Sequence, residues 1–377
     1  MATIVVFAFD LTEAAQLKRI SALRALGHDV RSVSFQRKNM NTGFQPDWPN
    51  LDLGHMPNER FVLRLFLLLR ALPTVLFNRQ FCDRADVIIA RNVDLLALAV
   101  VFRAARGWRI PLVYECLDIH SALIGKRFFN RVMRWLERVL MKRIQLLWTS
   151  SPGFLRNYFL PIQKYDGPVE VLENKIWFEN AQSERPAKAR RTGRRGPLVL
   201  GWVGSIRCQR SLEILCETAR QMPDSLEIEV HGIIHHHAIS DFEAKIADLA
   251  NMTFQGPYSY PDGLAKVYAR CDLVWAQDLW QRGGNSDWLL PNRIYEASWY
   301  GCPCVAVADT QTGRWISDNG IGATINKPTA DDLLAYVQSV DRSVLNDLSS
   351  SVLSMNDDIF RLSKADMQRA LAPVLPH

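Results

Sequence analysis

The 377-residue sequence has no Cys-x-x-Cys pair, no Asp-x-Asp motif and no Gly-x-Gly-x-x-Gly after an apolar run. Each absence removes a class of chemistry. Its seven cysteines (Cys82, Cys116, Cys208, Cys216, Cys271, Cys302 and Cys304) are odd in number, and several fall in apolar runs. They read as small buried hydrophobes in a reducing compartment, not as metal or redox centres. Without an Asp-x-Asp pair or another carboxylate cluster, no divalent metal is expected. His235-His236-His237 is the one rival metal signal, but adjacent histidines point in different directions. The missing glycine fingerprint disfavours a nicotinamide dehydrogenase. Residues 1–9 carry no basic leader and no small-residue cleavage site, so they read as a first buried strand. The most apolar stretch, residues 61–72, contains Arg64 and Arg70 and stops at Pro73. It falls short of the roughly 20 residues that span a bilayer. No repeat at a period of 20–50 residues is visible.

What is present points to two domains. The length exceeds one ordinary domain, and the 48% apolar content supports substantial cores. The net charge of +6 conceals an asymmetry: residues 1–180 carry +9, residues 181–197 carry +5 and residues 198–377 carry −8. A basic first half suits anionic lipid, phosphorylated ligands or nucleic acid. In it, apolar runs alternate with helical patterns: strands at Ile4–Phe9, Val30–Phe35, Asp86–Ala90, Pro111–Cys116 and Gln145–Thr149, with helices over 12–26 and Leu95–Arg106. Gly27 stands where a helix C-cap belongs. The stretch 181–197 is Arg-rich and nearly devoid of apolar residues, the composition of a solvated linker. No aromatics are interleaved with its cations, which weighs against a nucleic-acid arm. Alternation then restarts with strands at Leu198–Val203, Leu226–Val230, Met252–Phe254, Leu273–Ala276, Cys304–Val307 and Ala323–Ile325, and helices over Leu212–Ala219, Phe242–Leu249 and 291–300. Strand–helix alternation with near-continuous apolar strands implies parallel sheets covered on both faces.

Ligands of such sheets bind beyond the carboxyl ends of the strands. Three places in the second half carry suitable residues. Gly204, which ends a strand, is followed by Arg207 and Arg210, whose guanidinium forks match phosphate oxygens. Pro291-Asn292-Arg293 opens a helix, with Glu296 one turn on, so a cation and a carboxylate suited to ribose hydroxyls face one crevice. Gly256-Pro257-Tyr258 is a turn whose ring can pack against a base.

These residues resemble the family-four-like GT-B glycosyltransferases, of the bacterial exopolysaccharide-biosynthesis kind. The resemblance runs through Leu26-Gly27-His28-Asp29-Val30, Pro111–Asp118, Leu200–Gly204, Phe254-Gln255-Gly256 and Val267–Val274, and fits best over Pro291–Val307. It implies an α/β GT-B fold, two doubly wound Rossmann-like domains facing a cleft. Its domains would be an acceptor-binding, membrane-facing domain at 1–180, a basic linker at 181–197 and a nucleotide-sugar domain at 198–355. Residues 356–377 would form a tail for which a crossing back to the first domain is open. It also implies donor diphosphate on Arg210 and Arg293, ribose on Glu296, and donor contacts from Gly204, Arg207, Tyr258 and Asn292. Such enzymes stabilise the leaving diphosphate with cations and helix dipoles, so no cofactor or metal is expected beyond the sugar nucleotide, a substrate.

Two positions depart from the family pattern. Ser205 replaces the arginine that usually follows the glycine, with Arg207 as substitute. The upstream member of the paired glutamates is Trp288, beside Asp287. Related exopolysaccharide enzymes invert configuration and need a base for the acceptor hydroxyl. Asp118 is the candidate, with Glu115 and His120 as alternates. In residues 126–148, Arg127, Arg131, Arg134, Arg138 and Lys142 form a stripe opposite Phe129, Val132, Leu136, Val139 and Leu140. A basic stripe edged by Phe128 and Trp135 suits an anionic membrane surface. The expected partners are thus a UDP-linked or other nucleotide sugar, a lipid-linked sugar acceptor and the inner face of the cell membrane, not nucleic acid. The alternatives are a GT-B sugar-nucleotide epimerase and a non-catalytic basic membrane or nucleic-acid module.

Overall fold

A computed structural model describes residues 1–36, 44–56, 61–81, 84–105, 107, 109–178, 185–186 and 196–375. Most of the 181–197 linker lies outside the described residues, as does Cys82. The chain divides into two compact units, Met1–Glu173 with Leu362–His377, and Asn174–Arg361.

The first unit is built on seven strands: β1 (Thr3–Ala8), β2 (Asp29–Gln36), β3 (Asn50–His55), β4 (Val87–Arg91), β5 (Leu112–Cys116), β6 (Leu146–Thr149) and β7 (Val169–Val171). They lie in the order β3-β2-β1-β4-β5-β6-β7, and every pairing is parallel. The strands β4, β5 and β6 are buried along their whole length, the charged Arg91 and Glu115 included. The edge strands β3 and β7 escape a search for apolar runs. Asn50-Leu51-Asp52-Leu53 and Val169-Glu170-Val171 alternate with period two, the signature of half-exposed strands. The helix that opens at Phe61 does not stop at Pro73 but runs through it to Phe77. The last helix, Lys364–Leu371, starts in a capping box between Ser363 and Asp366. It joins the first unit, where Trp148 Nε1 donates to Ala370 O at 3.1 Å.

The second unit has six parallel strands: β8 (Leu198–Ile206), β9 (Leu226–Ile234), β10 (Met252–Gly256), β11 (Leu273–Trp275), β12 (Cys304–Val307) and β13 (Gly322–Ile325). Their order is β10-β9-β8-β11-β12-β13, with a core on each face of the sheet. Two strands outrun expectation. β8 does not end at Gly204, nor β9 at His231-Gly232; their ladder continues to Ile206 and Ile234. Gly204 and Gly232 are partners in that register, both at positive φ, and a Cβ on Gly232 would lie 1.9 Å from Gly204 O. Glycine is required there for close approach of two backbones. In each unit the strand order reverses once, between β1 and β4 and between β8 and β11, and these are the switch points where such folds bind ligands.

Candidate nucleotide-sugar site

At the second unit's switch point, three elements bring side chains together. The helix Asn292–Trp299 begins with Pro291 as N-cap, which places Arg293 in its first turn and Glu296 one turn later. Both are buried, at 8% and 4% exposure. Arg293 Nη1 has no hydrogen-bond partner among the described residues. A Cβ built on Gly204 would sit 4.0 Å from Arg293 Nη2, so the end region of β8 and this guanidinium border the same space. Asn292 is half-buried at the helix mouth. Glu296 accepts from Tyr268 Oη at 3.3 Å. Burial, followed by the Glu296 charge, pushes the phenols of Tyr258, Tyr260 and Tyr268 upward, so Tyr258 stands within the field of the same carboxylate.

Arg207, just past β8, belongs to this locus through a residue that sequence reasoning missed. Asp278, after β11, accepts from Arg207 Nη2 at 3.2 Å, from Trp280 N at 2.8 Å and from Ser286 Oγ at 2.8 Å. The Arg207 guanidinium also lies over the Trp280 ring, 4.8 Å from its centroid. Burial alone would raise the Asp278 carboxyl; Arg207, the Trp280 N–H, Arg293 and Ser286 outweigh it and hold it below the usual range. The only sequence signal was its place directly after an apolar strand. Arg210 is placed differently. Half exposed on the helix Gln209–Gln221, it donates to Pro328 O at 3.1 Å and lies 3.9 Å from Glu213. Its surroundings are a surface groove of about 400 Å³ that also includes Glu217, Arg220, Lys245 and Asp331.

His235 follows β9, and its N–H donates to Ile206 O at 2.9 Å. Burial, then the charges of Arg207 and His237, lower its imidazole to about 4. Among the described residues no group of three or more His, Cys, Asp or Glu is placed to hold a metal ion. Asp287, beside the unexpected Trp288, pairs with Arg282 at 2.6 Å, which also grips Asp309.

In the first unit, Asp118 is exposed two residues beyond β5. His120 is a helix cap, its Nδ1 accepting from Ala122 N at 3.1 Å. Glu115 is taken up in structure: fully buried, it accepts from Arg19 Nε at 2.7 Å and Arg91 Nη2 at 2.8 Å. Burial would raise its carboxyl, but the two guanidiniums hold it below the usual range. It is therefore no free base.

The helix Phe128–Met141 also departs from the sequence picture. Arg134 and Arg138 of the basic stripe turn back onto the carbonyls of Leu123, Gly125, Ile162 and Gln163. Part of the apolar row meanwhile faces outward, with Phe128 74% and Trp135 59% exposed and Phe129, Val132 and Val139 beside them, while Leu140 is buried. The reason lies beneath it: Glu137, wholly buried, accepts from Tyr114 and Tyr158, which anchors that side of the helix inward. Among the described residues no helix is long and apolar enough to cross a membrane.

Two doubly wound parallel-sheet units, the second with a buried cation and carboxylate at its switch point, are the architecture of the GT-B class. Residues 14–174 match the glycosyl transferase 4-like domain. The chain is 32% identical over 372 residues to the succinoglycan biosynthesis protein ExoL of Rhizobium meliloti (strain 1021), covering 98% of this chain and 92% of that one. Among solved structures it resembles the sucrose-phosphate synthase of Thermosynechococcus elongatus (TM-score 0.75, 13% identity, 98% of both chains). It also resembles HepE of Anabaena in complex with UDP and glucose (TM-score 0.70, 16% identity, 99% of both chains). The chain belongs to the family-four-like GT-B glycosyltransferases of exopolysaccharide biosynthesis.

Proposed function

We propose that the enzyme moves a sugar from a UDP-linked donor to a lipid-linked saccharide at the inner face of the cell membrane, with no further cofactor. The observation that carries the donor half is Arg293, a buried cation with an unpartnered Nη1 beside Gly204 and one turn before Glu296. A buried guanidinium lacking a partner is costly unless an anion completes it. The donor diphosphate would take Arg293 and Arg207, with Arg210 reaching from the neighbouring helix. Glu296 would accept the ribose hydroxyls, and Tyr258 and Asn292 would border the nucleoside. HepE, crystallised with UDP and glucose, supports UDP as the first donor nucleotide to test.

In the transfer, Asp118 takes the proton of the acceptor hydroxyl as that oxygen bonds to the anomeric carbon. The bond from that carbon to the diphosphate breaks, UDP leaves with the electron pair, and the configuration inverts. The acceptor would be a saccharide on a lipid carrier. Supporting this is the outward row Phe128, Phe129, Val132, Trp135 and Val139, bordered by the exposed Arg127, Arg131 and Lys142, which suits an anionic bilayer.

Donor profiling tests the proposal. Calorimetry and turnover across UDP-, GDP- and ADP-sugars should single out a UDP-sugar, and equal indifference to all three would reject it. Flotation with anionic vesicles should recover the protein in a salt-sensitive way. Equal recovery with neutral vesicles would remove the electrostatic part.

A further inference from the structure

β9 buries a group of charges that no donor contact uses. Its Ile228 and Val230 point into the core that holds Trp202, so Glu229 and His231 point to the opposite face of the sheet. That is the face of Val203, the β8 partner of His231, and of the helices Leu264–Arg270 and Asn292–Trp299, the second of which carries Glu296. Glu229 is 4% and His231 5% exposed. His231 Nε2 donates to Glu229 Oε2 at 2.9 Å, and Arg270 Nε donates to the same oxygen at 2.7 Å. Burial alone would raise the Glu229 carboxyl, but the bonds from His231 and Arg270 bring it down to about 2. The carboxylate therefore only accepts, which draws the ring proton to Nε2 and in the neutral imidazole leaves the lone pair on Nδ1. That Nδ1 has no partner among the described residues.

A buried imidazole with one nitrogen unused needs a reason. Its surroundings supply one. The neighbouring strand β10 sets Gly256 opposite His231, and the register shifts between Phe254 and Gly256. Such bulges end strand pairing and re-aim the chain beside binding sites. Gly256 stands at φ +80°, and a Cβ built on it meets nothing within 4 Å, so open space adjoins the residue paired with His231. Two residues on is Tyr258, in the field of Glu296. Strand order completes the layout. β9 and β10 lie to one side of β8, whose Gly204 borders Arg293, and β10 is two strand spacings or about 10 Å from β8, the reach of a nucleoside. A nucleotide with its diphosphate at β8 and its ribose on Glu296 therefore turns its base towards β9 and β10. We infer that His231 reads that base, with Nδ1 accepting the N3–H of uracil. This rests on the nucleotide-sugar reading of the site and adds a reason for uracil. Cytosine has the same size but carries a lone pair at N3, which would meet the Nδ1 lone pair head on; a site built to hydrogen-bond one partner rejects an analogue that cannot return the bond.

The test is calorimetry on the full chain with UDP, CDP and N3-methyl-UDP, beside thermal unfolding. Wild type should prefer UDP to each of the other two by about tenfold or more, the scale of one hydrogen bond. Two near-isosteric substitutions separate reading from structure. His231→Gln puts an amide N–H where Nε2 stands, so it keeps the bond to Glu229 and loses the lone pair. Its Tm should hold while the preference for UDP over CDP disappears. His231→Asn puts a carbonyl oxygen where Nδ1 stands but falls short of Glu229. Its Tm should drop while the preference for UDP is kept. A histidine that only braces Glu229 would move Tm and leave the ratio of the two nucleotides unchanged in both variants. Equal wild-type affinity for UDP and CDP, or a UDP preference that survives His231→Gln, would overturn the inference and leave the donor reading standing. A wild type that binds no uridine nucleotide would sink the donor reading itself, and this inference with it.

Discussion

The two units wind their sheets alike and finish them differently. Each reverses strand order once and aims its strand ends at that reversal. In the second unit the reversal gathers two arginines and two carboxylates, Arg207 clamped by Asp278 and Arg293 left with an open Nη1. In the first unit the deepest charges neutralise one another, Glu115 between Arg19 and Arg91, and the neighbouring unsatisfied groups are mostly neutral amides. The same scaffold thus yields one end where a buried cation keeps an open donor and another where the deepest charges are spent on one another. Winding does not decide chemistry; the pairing of side chains at the strand ends does.

The contrast can be broken at its reactive end first. Asp118→Asn is nearly isosteric, so UDP affinity should survive while kcat falls by about two to four orders of magnitude, the scale of losing a general base. Near-normal turnover, or a product whose anomeric configuration matches the donor by NMR, would reject that role and make His120 the next residue to examine. Next in size is Glu115→Gln, which leaves two buried guanidiniums without their counter-charge. Chemical denaturation should show a loss of about 3–5 kcal/mol. Affinity for UDP should be unaltered if the two units divide the work as described.

The second unit's charges are distinguished by burial. Arg293→Ala should cost about 2–3 kcal/mol of UDP affinity, as for hydrogen bonds from a buried charged group, and Glu296→Ala a similar amount. Arg210→Ala, at an exposed and screened position, should cost less than about 1 kcal/mol. Calorimetry on folded variants ranks them, and equal losses at Arg210 and Arg293 would contradict the burial argument. The smallest effect is a pH dependence. His235 is lowered from 6.5 to about 4 in the fold, so the unfolded chain binds its proton first. The stability it contributes is complete above about pH 6.5 and is lost as pH falls towards about 4. After discounting for its partial exposure this amounts to about 2 kcal/mol. His235→Gln should flatten the denaturation midpoint across that window, and an unchanged slope would show that other groups carry it.

The alternation of buried strands and helices could be read from the chain because each central strand is mostly apolar. The ordering of Pro291, Arg293 and Glu296 was equally legible, since one helical turn fixes it locally. The strand ends were not. The ladder carries β8 past Gly204 because Gly232, distant in sequence, lets the two backbones approach. Glu115 looks like a candidate base until folding brings up Arg19, 96 residues away, and Arg91. Asp278 meets Arg207 across 71 residues, and the Phe128–Met141 helix turns its aromatics outward because Glu137 finds Tyr114 and Tyr158. Hydrophobic periodicity sets which segments are buried, since it depends on neighbours along the chain. Which charges are spent on one another depends on partners that only tertiary contact supplies, and desolvation makes those pairings decisive.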